Sequence, residues 1–223
     1  MTSDLLVANL RTNVTIMLPG GSLLVKCEGW HGPPDVVQSR MPTDRSNPWK
    51  TISQRISFKN PYFSVSEHDV LTPAGDPGYY GVIHFVRHAV GAIPIDAEGN
   101  TWLVGQYRNP HNTYEWEITE GGADPGETTL ECAQRELREE TGIIAADWQL
   151  LLEMQVSNSV TDEIATTYIA RVLSFTEAQP ESTEQLSTRK LPVGEAIELA
   201  LAGGIRDSIS VASLLKIRAL GLA

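Results

Sequence analysis

Residues 121 to 143 read GGADPGETTLECAQRELREETGI, and the rest of the chain can be placed around them. Thr128, Thr129, Leu130 and Glu131 fit a capping box, in which a hydroxyl and a carboxylate three residues apart satisfy each other's backbone N–H groups. Leu130, Ala133 and Leu137 then recur at helical spacing, and Gly142 supplies the stop, so a helix is expected over about 129 to 141. At about 100° per residue, Glu136, Glu139 and Glu140 share one edge of that helix beside the apolar stripe. Three carboxylates this close repel one another unless protons or cations intervene, and oxygen donors at such charge density suit Mg²⁺ or Mn²⁺. A Glu-Glu pair taken alone reads more often as a solvated acidic face.

Upstream, Ala92 to Ile95 and Trp102 to Tyr107, joined by a turn at Glu98-Gly99-Asn100, predict a hairpin, and Tyr114 to Thr119 a further strand. Phe63 to Val70 and Tyr80 to Ala89 flank the turn formers of residues 73 to 78 and read as a β-arm. Residues 1 to about 50 are rich in turn formers. Only Val14 to Met17 and Leu23 to Cys27 look like strands there, enough for a small hairpin. Downstream, Trp148 to Val156 and Ile164 to Val172 predict strands, Thr176 to Thr183 a polar loop, and Leu186 to Leu191 a short strand. Helices near Gly194 to Ala202 and Ile209 to Leu220 close the chain. Strands on both sides of one strong helix, with more helices at the end, argue for an α/β fold with a mixed sheet packed between helices. The expected division is an N-terminal extension and arm at 1–90 and a main domain at 91–223.

Composition narrows the function. Of 223 residues, 17 are Lys or Arg and 28 Asp or Glu, a net charge of −11. With no basic run, a broad grip on nucleic acid or an anionic membrane is not expected. No apolar run approaches the roughly 18 residues of a membrane span, and no signal-peptide pattern opens the chain, so a cytoplasmic location is expected. Cys27 and Cys132 are too few for a disulfide framework and read as thiols. His31, His68, His84, His88 and His111 show no metal-ligand spacing and read as structural or surface groups.

The full spacing of residues 121 to 143 matches G-x5-E-x7-R-E-U-x-E-E-x-G-U, with U aliphatic, through Gly121, Glu127, Arg135, Glu136, Glu139, Glu140 and Gly142. The chain therefore resembles the Nudix hydrolases, and looser similarity to their ADP-ribose pyrophosphatase branch runs from about Ile56 to the carboxyl terminus. The resemblance implies the Nudix αβα sandwich with an arm subdomain, a Mg²⁺ (or Mn²⁺) cofactor, a homodimer and hydrolysis of a small nucleoside diphosphate derivative. It implies metal ligation by Glu136, Glu140 and the carbonyl of Glu120. Glu139 becomes a further ligand or supporting catalytic group, with Glu127 and Arg135 as braces. Gly121 and Gly142 are read as serving backbone geometry, where turns into and out of a helix need φ > 0.

Gln106-Tyr107-Arg108 and Trp116-Glu117-Ile118 resemble the elements that precede the box in this branch, which places Arg108 on substrate phosphate and Glu117 at the site. Thr119 stands where the branch has proline, Glu120 where it has a small residue, and Ser157-Asn158-Ser159 where it has Ser-Pro-Gly. An acidic residue after the box is implied to bind metal or accept a proton from water. Glu184 leads, with Glu181 beside it, and Asp162 and Glu163 compete. Tyr80 and Gly81 occupy the arm positions that contact adenine in dimeric relatives, so stacking by Tyr80 is retained and the acidic contact is not. ADP-ribose or a related nucleoside diphosphate sugar is the expected substrate. NADH, dinucleoside polyphosphates and coenzyme A derivatives are alternatives. A non-catalytic nucleotide sensor is a further reading, as is an isoprenoid diphosphate isomerase, for which Cys132 is poorly placed.

Overall fold

The computed structural model describes residues 14–18, 21–25, 46–179 and 185–222. The chain forms two compact units, Met1–Asn47 and Pro48–Ala223. In the first, β1 (Val14–Leu18) and β2 (Gly21–Val25) pair as an antiparallel hairpin.

The second unit begins with the arm, an antiparallel sheet of β3 (Lys50–Lys59), β4 (Phe63–Leu71) and β5 (Pro77–Phe85) in that order. Strand β3 escaped the sequence reading because every residue of it is exposed, so no burial pattern marks it. Then follow β6 (Ala89–Pro94), β7 (Asn100–Arg108), β8 (Thr113–Glu117), β9 (Thr119–Gly122), α1 (Thr129–Thr141), β10 (Ile143–Gln155), β11 (Ile164–Phe175), β12 (Ser187–Pro192), α2 (Val193–Leu201) and α3 (Ser208–Leu220).

One sheet runs β10-β11-β6-β9 and another β12-β7-β8. The β11–β6 pair is parallel and the other pairs are antiparallel, so the expected mixed arrangement is present. Its helices lie on two sides. Cys132, Ala133 and Leu137 of α1 pack with Val90, Ala92, Ile143 and Ala170. A separate cluster joins Ile93, Ile95, Leu103, Ile118 and Ile169 to Ile197, Leu214 and Ile217 of α2 and α3. Strand β6 serves both clusters, which is why it is apolar almost throughout.

The expected hairpin of residues 92 to 107 does not form: β6 and β7 enter different sheets. The turn itself is present, with the Asp96 carboxylate accepting from the N–H groups of Glu98 and Asn100 at 3.1 and 2.7 Å. Beyond it, Ile95 N–H donates to Ala170 and Val193 N–H to Gly99, so each limb is claimed by a different neighbour. The single strand expected over 114 to 119 is likewise broken at Ile118. Its N–H leaves the ladders and donates to Ser210 Oγ at 3.0 Å, and the chain passes there from one sheet to the other.

Candidate active site

Helix α1 forms as its local sequence dictates. Thr128 Oγ1 accepts from Glu131 N–H at 3.2 Å, and the Glu131 carboxylate accepts from Thr128 N–H at 2.9 Å. Gly142 ends the helix at φ 71 with its N–H returned to Arg138. The wheel differs from the expected one in a detail. Cys132 is buried with Ala133 and Leu137, Leu130 is only half-buried, and the acidic edge turns inward far enough to leave Glu140 3% exposed.

Arg135 is the hub of this edge. Its guanidinium donates to both carboxylate oxygens of Glu127 at 2.9 and 3.0 Å, to Glu136 at 2.7 Å and to Glu139 at 3.2 Å. The paired hydrogen bonds from Arg135 hold the Glu127 carboxyl below its usual range against the opposing effect of burial, as a bidentate charge-assisted contact should. Burial pushes the Cys132 thiol up to about 12, which leaves it without thiolate character at neutral pH.

Gly121 has a role that spacing alone did not reveal. It is not among the glycines with positive φ, so the expectation of a backbone demand is corrected. A Cβ at this position would lie 2.0 Å from Glu136 Oε1 and 2.1 Å from its Cδ. Strand β9 thus carries no side chain where the Glu136 carboxylate presses against it. The positive φ that the loop does require, 90°, falls at Gly126.

This close approach is a direct test of whether the residues suit a divalent cation. It brings the β9 backbone next to Glu136, as joint ligation by Glu136 and the Glu120 carbonyl demands, and every donor is a hard oxygen. Among the described residues no three acidic, His or Cys side chains already converge into a closed cage. Mg²⁺ needs none, since one or two carboxylates with waters and substrate phosphates suffice. The set fits.

Beyond Gly121 lies a second acidic group that the sequence reading did not assemble. The Glu120 carboxylate accepts from Ser210 Oγ at 2.9 Å. Burial, and then the facing Asp207, push its carboxyl well above the ordinary range. Asp207 caps α3, accepting from Ser210 N–H at 2.7 Å. Asp207 was legible as an N-cap residue before a helix, but its approach to Glu120, 87 positions earlier, was not. Thr119, at the place of the missing proline, is fully buried and its hydroxyl has no hydrogen-bond partner among the described residues.

Arg108, half-buried, grips Glu117 with two nitrogens, Nε standing 2.8 Å from Oε1, and Glu117 is 3% exposed. Those hydrogen bonds raise the Arg108 pKa against desolvation. Trp116 packs against the main core and meets Tyr114 edge-on. Arg108, Glu117 and Asp207 line a common cavity.

The segment after β10 folds back on the arm. Tyr80 donates its hydroxyl to the carbonyl of Ser159 at 2.7 Å and meets Trp49 edge-on. His84 Nδ1 pairs with Asp162 at 2.5 Å, and Ser66, fully buried, bridges the Nε2 atoms of His68 and His84 at 2.7 Å each. Two histidines read as unrelated therefore share one network, which cross-strand pairing creates and sequence spacing conceals. Glu163 is half-buried, and burial followed by the charge of Asp207 raises its pKa. Asp162 is instead taken up by the arm. Glu181 and Glu184 lie outside the described residues.

Comparison with known proteins bears on the fold and the family. Residues 86–210 match the model of the NUDIX domain, and residues 49–83 that of the nucleoside diphosphate sugar hydrolase N-terminal domain. An ADP-ribose pyrophosphatase of Mycobacterium tuberculosis is 31% identical over 77% of this chain and 84% of its own. A CMP-5'-(N-acetyl-N-hydroxy-3-aminopropyl)phosphonate hydrolase of Streptomyces rubellomurinus is 29% identical over 78% and 84%. A crystal structure of an ADP compounds hydrolase superposes with a TM-score of 0.72 at 22% identity, covering 80% of this chain and 96% of that one, so the fold is shared. With its intact box and a domain match over more than half its length, the chain belongs to the Nudix family and is a hydrolase of the pyrophosphatase kind.

Proposed function

We propose that the protein hydrolyses the pyrophosphate bond of ADP-ribose or a related nucleoside diphosphate sugar with Mg²⁺ as cofactor, Mn²⁺ serving as a substitute. The observation that carries this reading is the contact between Gly121 and Glu136, which opens the β9 backbone to a ligand shared with α1. Glu136, Glu140 and the Glu120 carbonyl would hold the cation, with Glu139 as a further ligand or supporting group. A cation held there offsets charge on the pyrophosphate oxygens and lowers the pKa of an attacking water. Arg135 orients Glu136 and Glu139 and is itself oriented by Glu127. Arg108 presents its remaining N–H groups to a phosphate while Glu117 fixes its plane. Glu184, or Glu181 beside it, accepts the proton of the attacking water, a role resting on chain position before β12.

In the same reading, residues 1–90 are an extension and arm, and 91–223 the catalytic domain. The arm pairs two chains about a twofold axis, and Tyr80 serves the nucleobase pocket. Exposed Ile52, Ile56, Phe58, Tyr62, Tyr79 and Phe85 on the arm support the pairing, because a thin sheet rarely leaves so much apolar surface in water. A cytoplasmic location belongs to this proposal. Among the described residues, no helix is long and apolar enough to cross a membrane. The phosphonate hydrolase relative favours keeping other nucleoside derivatives, including NADH, dinucleoside polyphosphates and coenzyme A compounds, in the substrate panel.

The test is hydrolysis of that panel with and without Mg²⁺, in wild type and in Glu140→Gln. Activity should require the cation and fall on the order of hundreds-fold in the variant, with its helix content retained. Near-normal turnover by folded Glu140→Gln would refute the metal assignment, and binding without turnover by wild type would favour a sensor.

A further inference from the structure

Strand β10 returns to β11 through residues 157 to 163, and residues 157 to 160 of that segment are exposed. Burial does little to fix them, so their place depends on hydrogen bonds. Val160 and Thr161 N–H groups both donate to Ser157, at 3.1 and 3.0 Å, and Val156 N–H donates to Glu163 at 3.2 Å across the base of the segment. Further bonds carry it onto one strand, β5 of the arm. Ile83 N–H donates to Val160 at 2.8 Å, and Asp162 N–H donates back to Ile83 at 3.3 Å. Tyr80 donates its hydroxyl to Ser159 at 2.7 Å, and the Asp162 carboxylate accepts from His84 Nδ1 at 2.5 Å.

The His84 ring is held at its far side as well. Ser66 Oγ, fully buried on β4, lies 2.7 Å from Nε2 of His84 and 2.7 Å from Nε2 of His68. A hydroxyl carries one proton, so Ser66 donates to one ring and accepts from the other. With Nδ1–H committed to Asp162, a neutral His84 offers Nε2 as an acceptor. Ser66 donates to it and accepts from Nε2–H of His68. Donors and acceptors thus follow one order from β4 through β5 to the segment, and removing any member leaves a neighbour without its partner.

The segment matters to the site at both ends. Ser159 anchors the hydroxyl of Tyr80, the residue assigned to the nucleobase pocket. Glu163 directly follows Asp162, and successive side chains of an extended chain point opposite ways. While Asp162 meets the arm, Glu163 meets the field of Asp207 at the start of α3.

We propose that the Ser66–His84–Asp162 relay, completed by His68, positions the nucleotide pocket: it seats the 157–163 segment on the arm and thereby orients Tyr80 for the nucleobase. The relay acts through Tyr80 and stands apart from the reacting phosphates, so it governs nucleotide affinity and leaves the chemical step alone. This rests on the nucleotide pocket of the reading above and gives the arm a share in binding beyond the pairing of chains.

The test measures affinity for AMP by calorimetry with Mg²⁺ present, and kcat and KM on ADP-ribose. Asp162→Ala alters a side chain that is 57% exposed, so it should fold. It should weaken AMP binding and raise KM by about 5- to 10-fold with kcat within about twofold of wild type. Asp162→Asn, which still accepts from His84, should recover most of that loss. Ser66→Ala should shift affinity in the same direction, and the Asp162 variants decide the matter should it not fold. Asp69→Ala breaks the 2.6 Å bond from Ser53 elsewhere on the arm and should change neither quantity. Unchanged AMP affinity in Asp162→Ala, a loss shared by Asp69→Ala, a fall confined to kcat, or a wild type without affinity for AMP overturns the relay and leaves the pyrophosphatase reading to its own substrate panel. If AMP binding responds as expected while wild type cleaves no nucleoside diphosphate derivative, the relay stands and the pyrophosphatase reading falls.

Discussion

Replacing Gly121 with alanine tests the cradle with one added carbon. The backbone accepts it, since Gly121 does not occupy the left-handed region, so the whole effect falls on Glu136. The new Cβ would stand 2.0 Å from Oε1, 2.1 Å from Cδ and 2.4 Å from Cγ of that residue. Because Cγ is also too close, turning the carboxylate alone does not clear the overlap. The side chain has to leave its rotamer, which breaks its 2.7 Å contact with Arg135 and carries the carboxylate more than an ångström from its place. A displacement of about 1 Å at a reacting centre costs on the order of 10²-fold in rate, or about 3 kcal/mol of activation free energy. Initial rates over a Mg²⁺ titration should show a fall of about 10²-fold or more in kcat together with a weaker metal requirement curve. The melting temperature should drop by only a few degrees. If Gly121→Ala keeps kcat within about threefold of wild type, Glu136 is not the group that the β9 backbone was left bare to receive.

Glu184→Gln should depress turnover by about 10²-fold or more with little change in KM, and Glu163→Gln should cost less. The reverse order, read from the kinetics of both variants and of Glu181→Gln on one verified substrate, would move the base to the segment beside Asp207. Acid stability reports on the Arg135 hub. Arg135 lowers the folded-state pKa of Glu127, so the stabilisation is present above the unfolded value of about 4.3 and is lost as pH falls through the folded value. Glu127→Gln should melt roughly 4–8 °C below wild type at pH 7, from about 2 kcal/mol of charge-assisted hydrogen bonding. The two melting curves should converge on acidification, and a gap constant from pH 7 to 3 would contradict the assignment. Sedimentation at micromolar concentration should return twice the chain mass, and a single-chain mass would oppose pairing through the arm.

Near neighbours in sequence determined most of what could be read without a structure. The capping box at Thr128, the αL stop at Gly142 and the reach of Arg135 to Glu139 all span a few residues, so helical geometry alone settles which groups meet. The acidic edge of the box was legible for the same reason, Glu136, Glu139 and Glu140 being set by position along one helix. What the tertiary structure decided were contests between distant partners. The limbs of the Asp96 turn look like a hairpin locally, yet β11 and β12 are the better partners for β6 and β7, and alternation records burial without naming the neighbour. Ile118 reads as mid-strand until Ser210, 92 residues later, takes its N–H. Spacing marked Gly121 but assigned it to the wrong cause, because the demand for a missing Cβ comes from Glu136 packed across it. The meeting of Asp207 with Glu120, and of His84 with Asp162, follows from the crossing of remote elements. Such contacts depend on burial and on which polar groups the fold brings face to face, and those are defined only once the chain has folded.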